Sequence, residues 1–389
     1  MKGCEISILH LASDEKFIDA AIYIFEKAFP GCNSFIIPKS RFNRKLKYIT
    51  KVDNIKLIPY TNRIITNLSK ETRKYDCVFL HGITELNSSV FLQSEEKSKF
   101  VGVLWGAELY VQENFPETNL TGDLTSALSL KSQSSFQDKI KDVIRKIIYR
   151  RSFAGFDASK LAASGLSYFC VPYEEEFSNF KEHVIIPESC IYIPFTYYPL
   201  EFIMNKNNSI AVNGNNIFIG NSALPFSNHL EAFRILKDLD IGSRKVIVPL
   251  SYGNSQYADY IEKVGYSIFK DNFQPLRKFL PLHEYLRELQ SCGIVILNHN
   301  RQQAVGILIA MLYMGSKVYL NESNTLFHYL SRIGIGPHSI SKELRPSNPT
   351  ALENLTHQEI KQNRSILANN MGESLVIGKL REAILNNFC

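Results

Sequence analysis

The stretch IFIGNSALPFSNHLEAFRILKDL, residues 217–239, passes from a short apolar run through a glycine-led polar loop into an amphipathic segment. The apolar run Ile217 to Gly220 predicts a buried strand, and the spacing of apolar residues from Ser227 to Leu239 predicts a helix. A strand, a glycine-containing loop and a helix in this order are typical of one βα unit in a parallel sheet covered by helices.

The same alternation extends outward from residues 217–239 in both directions. Towards the C terminus it predicts strands Lys245 to Leu250, Ser267 to Phe269, Ile294 to Asn298 and Lys317 to Leu320, and helices Gln256 to Val264, Pro281 to Ser291 and Gln302 to Met314. Towards the N terminus it predicts strands Glu5 to His10, Ser34 to Ile37, Cys77 to His81, Phe100 to Trp105 and Lys160 to Ser164, and helices Glu15 to Phe29, Asn62 to Lys70 and Lys139 to Arg151. We therefore expect an α/β protein with two doubly wound, Rossmann-like domains.

A polar run rich in asparagine at residues 205–216 separates the two halves and is typical of a linker. We predict an N-terminal domain over residues 1–204, a C-terminal domain over residues 217–365, and a terminal helix over residues 366–389 that packs back on the first domain. Open parallel sheets bind ligands at the carboxyl ends of their strands, so we expect the two domains to face a cleft that holds the site.

Composition and missing motifs exclude several classes of protein. The 389 residues are 45% apolar with a net charge of +6, which supports a globular protein and gives no argument for nucleic-acid binding. The seven cysteines form no C-x-x-C pair, and Asp238-Leu239-Asp240 lies at a predicted helix end, so we expect no metal and no cofactor. No signal-peptide pattern and no run of about 18 apolar residues occurs, so we expect a protein that is soluble or bound to a membrane only at its surface. The P-loop and dinucleotide-binding glycine patterns are absent, which disfavours NTPases and dehydrogenases.

The loop after Ile217 to Gly220 combines residues suited to phosphate. Gly220 lets the backbone approach a ligand closely, and Asn221 and Ser222 offer side-chain hydrogen bonds. The helix start near His229 presents unpaired N–H groups towards negative charge. We interpret this loop as a binding site for a diphosphate. In the structural alternative, Gly220 only ends the strand and a serine only caps the helix.

A second strand-to-helix loop, Asn298 to Gly306, is also rich in polar residues. Arg301 supplies a fixed fork of donors that suits phosphate oxygens, and the dipole of the following helix adds to the attraction. Gln302 and Gln303 add side-chain amides beside it. All three are candidate donor contacts, and Arg301 is also a catalytic candidate. The alternative is that they only solvate the start of a helix.

Two further loops of the second half carry candidate contacts. Asn321 and Glu322 follow strand Lys317 to Leu320, where a carboxylate can accept hydrogen bonds from hydroxyls of a sugar or ribose. Tyr252 follows strand Lys245 to Leu250 and is a candidate contact to a nucleotide. Each has a structural alternative, because Glu322 lies beside a helix dipole and Tyr252 precedes a Gly-Asn turn.

The first half offers candidates for a general base. Transfer of a group to a hydroxyl requires removal of the hydroxyl proton by a nearby side chain. Asp14, Glu108, His10 and His81 all lie at predicted strand ends, although Asp14 is equally suited to cap a helix. Trp105, the single tryptophan, is suited either to stack on a sugar or to anchor the core.

The segment Lys139 to Arg151 reads KIKDVIRKIIYRR and combines six basic residues with apolar residues at near-helical spacing. Such a basic amphipathic helix can lie on an anionic bilayer. The alternative is a helix with its apolar stripe in the core and its charges in water.

Several short motifs, taken in order, resemble glycosyltransferase family 56, the 4-alpha-L-fucosyltransferase-like Fuc4NAc transferases. They are HLASD at 10–14, HG at 81–82, WGAELY at 105–110, GNSxxxxSNHxxAxR at 220–234, VPxxY at 248–252, RQQxxG at 301–306 and NE at 321–322. The resemblance spans residues from about 5 to about 330. The chain departs from the family just after Asp14, where Glu15-Lys16-Phe17 replaces a proline and histidines.

The resemblance implies a GT-B fold, a dTDP-linked 4-acetamido-4,6-dideoxyhexose donor, no essential metal and a polyprenyl-diphosphate-linked glycan acceptor at the cytoplasmic face of the inner membrane. The pathway that the resemblance implies is synthesis of enterobacterial common antigen. For this chain an O-antigen or capsule pathway stays open as an alternative. In this scheme Asp14 or Glu108 is the base. Two alternatives are a sugar-nucleotide epimerase or hydrolase of the same architecture and a non-catalytic glycan-binding protein.

Overall fold

The computed structural model describes residues 6–39, 45–50, 55–59, 61, 63–105, 107–110, 120–129, 157–204, 210–280 and 282–389. Contacts within the chain define two compact units. The first takes its described residues from Met1–Phe115, Ser134–Pro199 and Glu373–Cys389, and the second from Pro116–Gln133 and Leu200–Gly372. The predicted helix Lys139 to Arg151 and the first residues of the predicted linker, 205–209, lie outside the described residues.

The elements alternate along the chain as expected for an α/β protein. The described strands are β1 (Ile8–Leu11), β2 (Asn33–Lys39), β3 (Ile55–Pro59), β4 (Cys77–His81), β5 (Phe100–Val103), β6 (Tyr168–Val171), β7 (Ile191–Pro194), β8 (Asn216–Ile219), β9 (Val246–Pro249), β10 (Phe273–Leu276), β11 (Cys292–Leu297), β12 (Lys317–Leu320) and β13 (His338–Ser339). The described α-helices are α1 (Ile18–Ala28), α2 (Ile64–Glu71), α3 (Glu85–Gln93), α4 (Ala107–Tyr110), α5 (Asp123–Ser129), α6 (Asp157–Ala163), α7 (Glu174–Glu182), α8 (Leu200–Met204), α9 (His229–Leu236), α10 (Ser255–Phe269), α11 (Leu282–Gln290), α12 (Val305–Met314), α13 (Thr325–Arg332), α14 (Ile340–Glu343), α15 (His357–Met371) and α16 (Glu373–Phe388). None of the helices described has both the length and the apolar character of a membrane span.

The first unit is built on a parallel sheet with strand order β3-β2-β1-β4-β5-β6-β7. Strands β1, β4 and β5 are buried along their whole length, as expected for strands covered on both faces. The strand order reverses between β1 and β4, and open α/β sheets bind ligands at such a point. The last helix, α16, packs on α1 and β7 of this unit. Tyr23 donates a 2.7 Å hydrogen bond to Glu373, and Arg381 donates one of 2.6 Å to the Ala28 carbonyl.

The second unit repeats this plan with strand order β10-β9-β8-β11-β12-β13, again all parallel. Here the order reverses between β8 and β11, whose residues Ile219 and Ile296 are paired. Both strands are mostly apolar, and all their residues except the half-buried Asn216 are buried. The loops that follow β8 and β11 therefore begin side by side at the carboxyl edge of the sheet.

A piece of the first half of the sequence belongs to the second unit. Helix α5 packs against α9, and the buried carboxylate of Glu231 accepts hydrogen bonds from the Thr125 amide at 2.9 Å and the Thr125 hydroxyl at 2.6 Å. An added Cβ at Gly122 would lie 2.5 Å from the same carboxylate, so only glycine fits there. Residues 120–129 are thus fixed to α9 by a buried polar contact.

Two predicted strands are wrong. Residues Lys160 to Ser164 lie in and just after α6, and the strand that follows is β6. The sequence K-L-A-A is made of good helix formers, and so short an apolar run does not distinguish a strand from a helix. Residues Ser267 to Phe269 are the last turn of α10, and the strand begins later, as β10. This strand contains Pro275, and because it lies at the edge of the sheet, the N–H that proline lacks is tolerated.

We predict that Glu231→Ala loosens residues 120–129. The substitution leaves the Thr125 amide and hydroxyl without their acceptor, at a cost of about 1–3 kcal/mol. Hydrogen exchange of the 120–129 peptide is then at least about five-fold faster than in the wild type. The exposed Glu353→Ala is the matched control, and equal exchange rates in the two variants contradict the prediction.

Candidate functional site

The β8 loop brings Gly220, Asn221 and Ser222 to the point where the strand order reverses. Gly220 has a left-handed φ of 69°, and an added Cβ would lie 2.6 Å from Nε2 of His229. Its amide donates to the Ile296 carbonyl at 3.0 Å, and the Ser222 carbonyl accepts from Ser227 Oγ at 3.1 Å. Glycine is therefore required here both by conformation and by close packing.

The β11 loop lies directly against the β8 loop. The Gln303 amide donates a 2.7 Å hydrogen bond to Asn221 Oδ1, across 82 residues of sequence. The Asn228 amide donates to the Asn298 carbonyl at 2.8 Å. The structure therefore brings the two loops into one cluster, which we call the donor cluster. It comprises Gly220, Asn221, Ser222, His229, His299, Gln303 and the residues around Arg301.

Arg301 is 6% exposed, with its guanidinium carbon 5.0 Å from the centroid of the Phe226 ring. One of its nitrogens donates to the Gln302 carbonyl at 3.1 Å. The backbone around it is fixed by Asn324, whose buried amide donates to the carbonyls of His299 and Arg301 at 3.0 and 2.8 Å. A buried guanidinium held in this way is a preorganised site for an anion.

Helices α9 and α12 both begin at the donor cluster without a side-chain cap. The residues before them, Asn228 and Ala304, have left-handed φ values of 48° and 60°. For Ala304 this conformation is strained, because the residue carries a Cβ. The first N–H groups of both helices donate no hydrogen bond to a cap side chain. Together with the helix dipole they favour a negative ligand.

His229 and His299 are fully buried in the donor cluster. Burial lowers the pKa of His229 to about 3; burial, followed by the charges of Arg301 and His229, lowers the pKa of His299 to about 3. His229 Nδ1 lies 3.1 Å from the Tyr257 hydroxyl, whereas His229 Nε2, both nitrogens of His299 and Gln303 Oε1 have no hydrogen-bond partner. Buried polar atoms without partners are rare in native proteins, so their concentration here marks a ligand site.

The remaining second-half candidates are placed differently from one another. Asn321 joins the cluster, since its amide donates to Asn300 Oδ1 at 3.0 Å. Glu322 is bonded instead to Lys342 at 2.7 Å and Ser341 at 2.8 Å, which attaches the β12 loop to α14. Tyr252 is 67% exposed, and its carbonyl accepts from the Ala223 amide at 2.7 Å, so it lies one loop away from Ser222.

In the first unit, Asp14 anchors a loop. Its carboxylate accepts hydrogen bonds from Lys39 at 2.7 Å and from the backbone amides of Lys47, Tyr48 and Ile49 at 2.8, 3.1 and 3.3 Å. Burial alone would raise the pKa of Asp14, but these hydrogen bonds lower it below its usual value. The arrangement fits an anchor for residues 47–49 better than a proton acceptor.

His10 and His81 form a buried chain of hydrogen bonds in the first unit. The Asn33 amide group donates to the Phe29 carbonyl at 2.7 Å, so Asn33 Oδ1 accepts from His10 Nε2 at 3.2 Å. His10 Nδ1 then accepts from His81 Nε2 at 3.0 Å, and His81 Nδ1 accepts from the Tyr197 hydroxyl at 2.8 Å. Burial lowers the pKa of both imidazoles, to about 3 for His81. Both rings are neutral and fully used, which disfavours either as a base.

Two other first-unit candidates are settled only in part. Trp105 packs its ring over Gly82 and donates to the Tyr197 hydroxyl at 3.1 Å, so it is anchored in the sheet edge. Glu108 lies in α4, but its side chain is outside the described part of the structure, and its role stays a prediction.

Among the residues that the structure describes, no group of three or more His, Cys, Asp or Glu side chains is arranged to hold a metal ion.

Sequence reasoning did not select His299. It lies in the polar loop Asn298 to Gly306, beside Arg301, but nothing in the sequence separates it from a histidine with ordinary partners. The distinguishing property is the lack of a partner for either ring nitrogen, which depends on packing.

The family model described as 4-alpha-L-fucosyltransferase glycosyl transferase group 56 matches residues 172–344, which confirms the resemblance drawn from the motifs. The fold is similar to that of Anabaena HepE in complex with UDP and glucose, with a TM-score of 0.62 and 10% identity over 98% of this chain and 100% of that chain. It is also similar to sucrose-phosphate synthase from Thermosynechococcus elongatus, with a TM-score of 0.61 and 10% identity over 99% of each chain. A glycosyltransferase from Rickettsia africae has a TM-score of 0.53 at 14% identity, over 98% of this chain and 94% of that chain. At such identities these structures show the fold alone, and they confirm the expected GT-B fold.

We predict that Asp14→Asn destabilises the first unit by about 1–3 kcal/mol at pH 7, because a neutral amide cannot replace a carboxylate that holds Lys39 and three amides. The pKa of Asp14 is lowered in the folded state, so its contribution is present above the unfolded pKa and is lost as pH falls through the folded pKa.

The difference in unfolding free energy between wild type and Asp14→Asn should therefore shrink as urea titrations are repeated from pH 7 down to pH 3. Glu182→Gln, an exposed carboxylate of the same unit, is the control. A difference that stays constant with pH refutes the anchoring role.

Proposed function

We propose that this glycosyltransferase, whose residues 172–344 belong to group 56, takes its sugar from a nucleotide diphosphate donor bound at the donor cluster of the second unit. The observation that carries the proposal is the group of buried, unpartnered polar atoms around Gly220 and Arg301. The acceptor oxygens of a diphosphate satisfy the imidazole N–H groups of this set, whereas Gln303 Oε1, itself an acceptor, requires a donor such as a hydroxyl; a nucleotide sugar offers both kinds of group. The family match independently supports a sugar-transfer reaction.

In this proposal each part of the cluster has a defined task. The N–H groups at the starts of α9 and α12 and the side chains of Asn221, Ser222 and Gln303 orient the phosphates. Gln302, Asn321 and Tyr252 contribute around the nucleotide. Because Glu322 is bound to Lys342 and Ser341, it reaches a sugar or ribose hydroxyl only by releasing those partners.

The reaction follows from the same geometry. The acceptor hydroxyl oxygen attacks the anomeric carbon, the bond from that carbon to the diphosphate oxygen breaks, and negative charge develops on the departing diphosphate. Arg301 and the two helix starts stabilise this charge, the task that a metal ion performs in other transferases, and the proposal requires no metal. The hydroxyl proton passes to a carboxylate that acts as base. The candidates are Glu108 and Asp14, and the hydrogen bonds that Asp14 already accepts make it the weaker base.

The finer identity of the substrates rests on the family resemblance. We propose a dTDP-linked 4-acetamido-4,6-dideoxyhexose as donor and a polyprenyl-diphosphate-linked glycan as acceptor, in synthesis of a surface polysaccharide. HepE binds UDP and glucose in its structure, so UDP is the natural alternative nucleotide to test. The proposed location is the cytoplasmic face of the inner membrane, reached by surface contact through Lys139 to Arg151.

We predict that Arg301→Ala lowers turnover by at least about 100-fold, because one preorganised donor to the leaving group contributes about that factor. Release of nucleoside diphosphate from dTDP-linked and UDP-linked sugars is measured with and without acceptor, and circular dichroism checks the fold. The exposed Arg345→Ala serves as control. Near-normal turnover of Arg301→Ala discards this site, and release of free sugar or an epimer without acceptor favours the hydrolase or epimerase alternative.

We predict that the protein sediments with phosphatidylglycerol vesicles and not with phosphatidylcholine vesicles. Replacing Lys139, Lys141 and Arg145 by Gln weakens that binding by about 100-fold, since each cation near an anionic surface contributes about 1 kcal/mol.

The control variant replaces Lys237, Lys263 and Lys361, three exposed lysines of the second unit, by Gln, so both variants lose the same charge. If both bind equally, the attraction comes from net charge alone and the segment is not a membrane contact.

A further inference from the structure

The two histidines of the donor cluster are buried but lack most of the hydrogen-bond partners that buried polar groups usually have. His229 and His299 are both 0% exposed, and three of their four ring nitrogens have no hydrogen-bond partner. Leaving a buried donor or acceptor unsatisfied costs about 1–3 kcal/mol each. Three such atoms in one place indicate that the rings are arranged for a ligand.

The protonation state that suits this ligand differs from the state that burial favours. A neutral imidazole has one donor nitrogen and one acceptor nitrogen, whereas an imidazolium has two donors. Phosphate oxygens at neutral pH act as acceptors, so a neutral ring that faces them with both nitrogens turns one unsuitable atom towards them. His299, with both nitrogens unpartnered, matches a diphosphate fully only in its protonated form.

The charged and titratable groups around the pair set the electrostatics without a ligand. Arg301 and His229 act on His299, and both oppose a charge there. Tyr257, on α10, contacts His229 Nδ1. Glu231, on the same helix as His229, has its carboxylate committed to Thr125. Burial and the positive guanidinium thus keep both rings neutral until an anion offsets the charge of Arg301.

We propose that the nucleoside diphosphate binds to this chain together with at least one proton, taken up by the His229 and His299 pair. This inference rests on the proposed function and adds a proton linkage to it. An imidazolium beside Arg301 then strengthens the stabilisation of the departing diphosphate without a metal ion. Both rings are buried, and Gly220 packs on His229 Nε2, so in this proposal the β8 loop shifts when the anion binds.

The sign of the linkage follows from the pKa values. Without an anion the pKa of each imidazole is about 3, and a nearby diphosphate raises it. Binding is therefore tighter at lower pH: the affinity falls by up to about tenfold per pH unit, for one proton, as pH rises from the pKa of the free state to the pKa of the bound state, and it levels off above that.

The test is calorimetric titration of the full chain with dTDP and with UDP at pH 7.5, in HEPES and in Tris, whose different ionisation enthalpies report the protons taken up. His299→Gln removes the titrating ring and keeps hydrogen-bonding groups. The wild type should take up more protons per nucleotide than His299→Gln, by up to one, and subtraction cancels the protons of the diphosphate itself. His328→Gln, an exposed histidine of the same unit, should match the wild type.

Each outcome is decisive. Equal proton uptake by the wild type and His299→Gln overturns the proton linkage and leaves the donor site standing. The same conclusion follows if the wild type binds the nucleotide without taking up protons, and that measurement does not depend on the variant being folded. If neither dTDP nor UDP binds between pH 6 and 8, the proposed function itself fails.

Discussion

The donor site depends on the hydrogen bonds of one residue, Asn228. Its side-chain amide donates to the Asn298 carbonyl at 2.8 Å, and its side-chain oxygen accepts from the Gly122 amide at 2.9 Å. Its backbone is left-handed, a conformation that asparagine adopts more readily than most residues, and it immediately precedes α9. One side chain therefore connects the β8 loop, the β11 loop and residues 120–129. Together with the hydrogen bond from Gln303 to Asn221, it fixes the starts of α9 and α12 relative to each other.

The electrostatics of the donor cluster follow from this rigid arrangement. Burying a guanidinium is unfavourable, because it removes the charged group from water. Here the cost is accompanied by two neutral histidines, a strained Ala304 and uncapped helix starts, all in the same place. Such a collection is stable only if the rest of the unit is well packed, and the buried residues 217–219 of β8 and the fully buried strand β11 provide that packing. The positive potential is thus built into the fold before any ligand arrives.

The sequence allowed the architecture and the donor loops to be predicted, because both depend on local patterns. Strand Lys317 to Leu320 was predicted with the bounds that the structure has, since it is a short apolar run with a clear glycine before it. The predicted strand Lys160 to Ser164 was wrong, because an apolar run of five residues is too short to separate strand from helix by its pattern, although its residues are mostly good helix formers. Contacts over long separations were beyond sequence reasoning. Asn221 meets Gln303 across 82 residues, and Asp14 meets Lys47 across 33, and no local pattern encodes either pairing.

A comparison of the two histidine pairs shows why residue type alone does not identify a site. Each unit places two histidines near the point where its strand order reverses, and burial keeps the rings neutral in both. In the first unit every ring nitrogen of His10 and His81 has a partner, and the fixed Asn33 amide determines the direction of the whole chain of hydrogen bonds. A closed chain of this kind stabilises the sheet edge and has no nitrogen left for a ligand. In the second unit the equivalent hydrogen bonds are missing beside a guanidinium, so the same residue type in the same topological place is arranged for binding. The number of satisfied nitrogens, which only packing decides, separates the structural pair from the functional one.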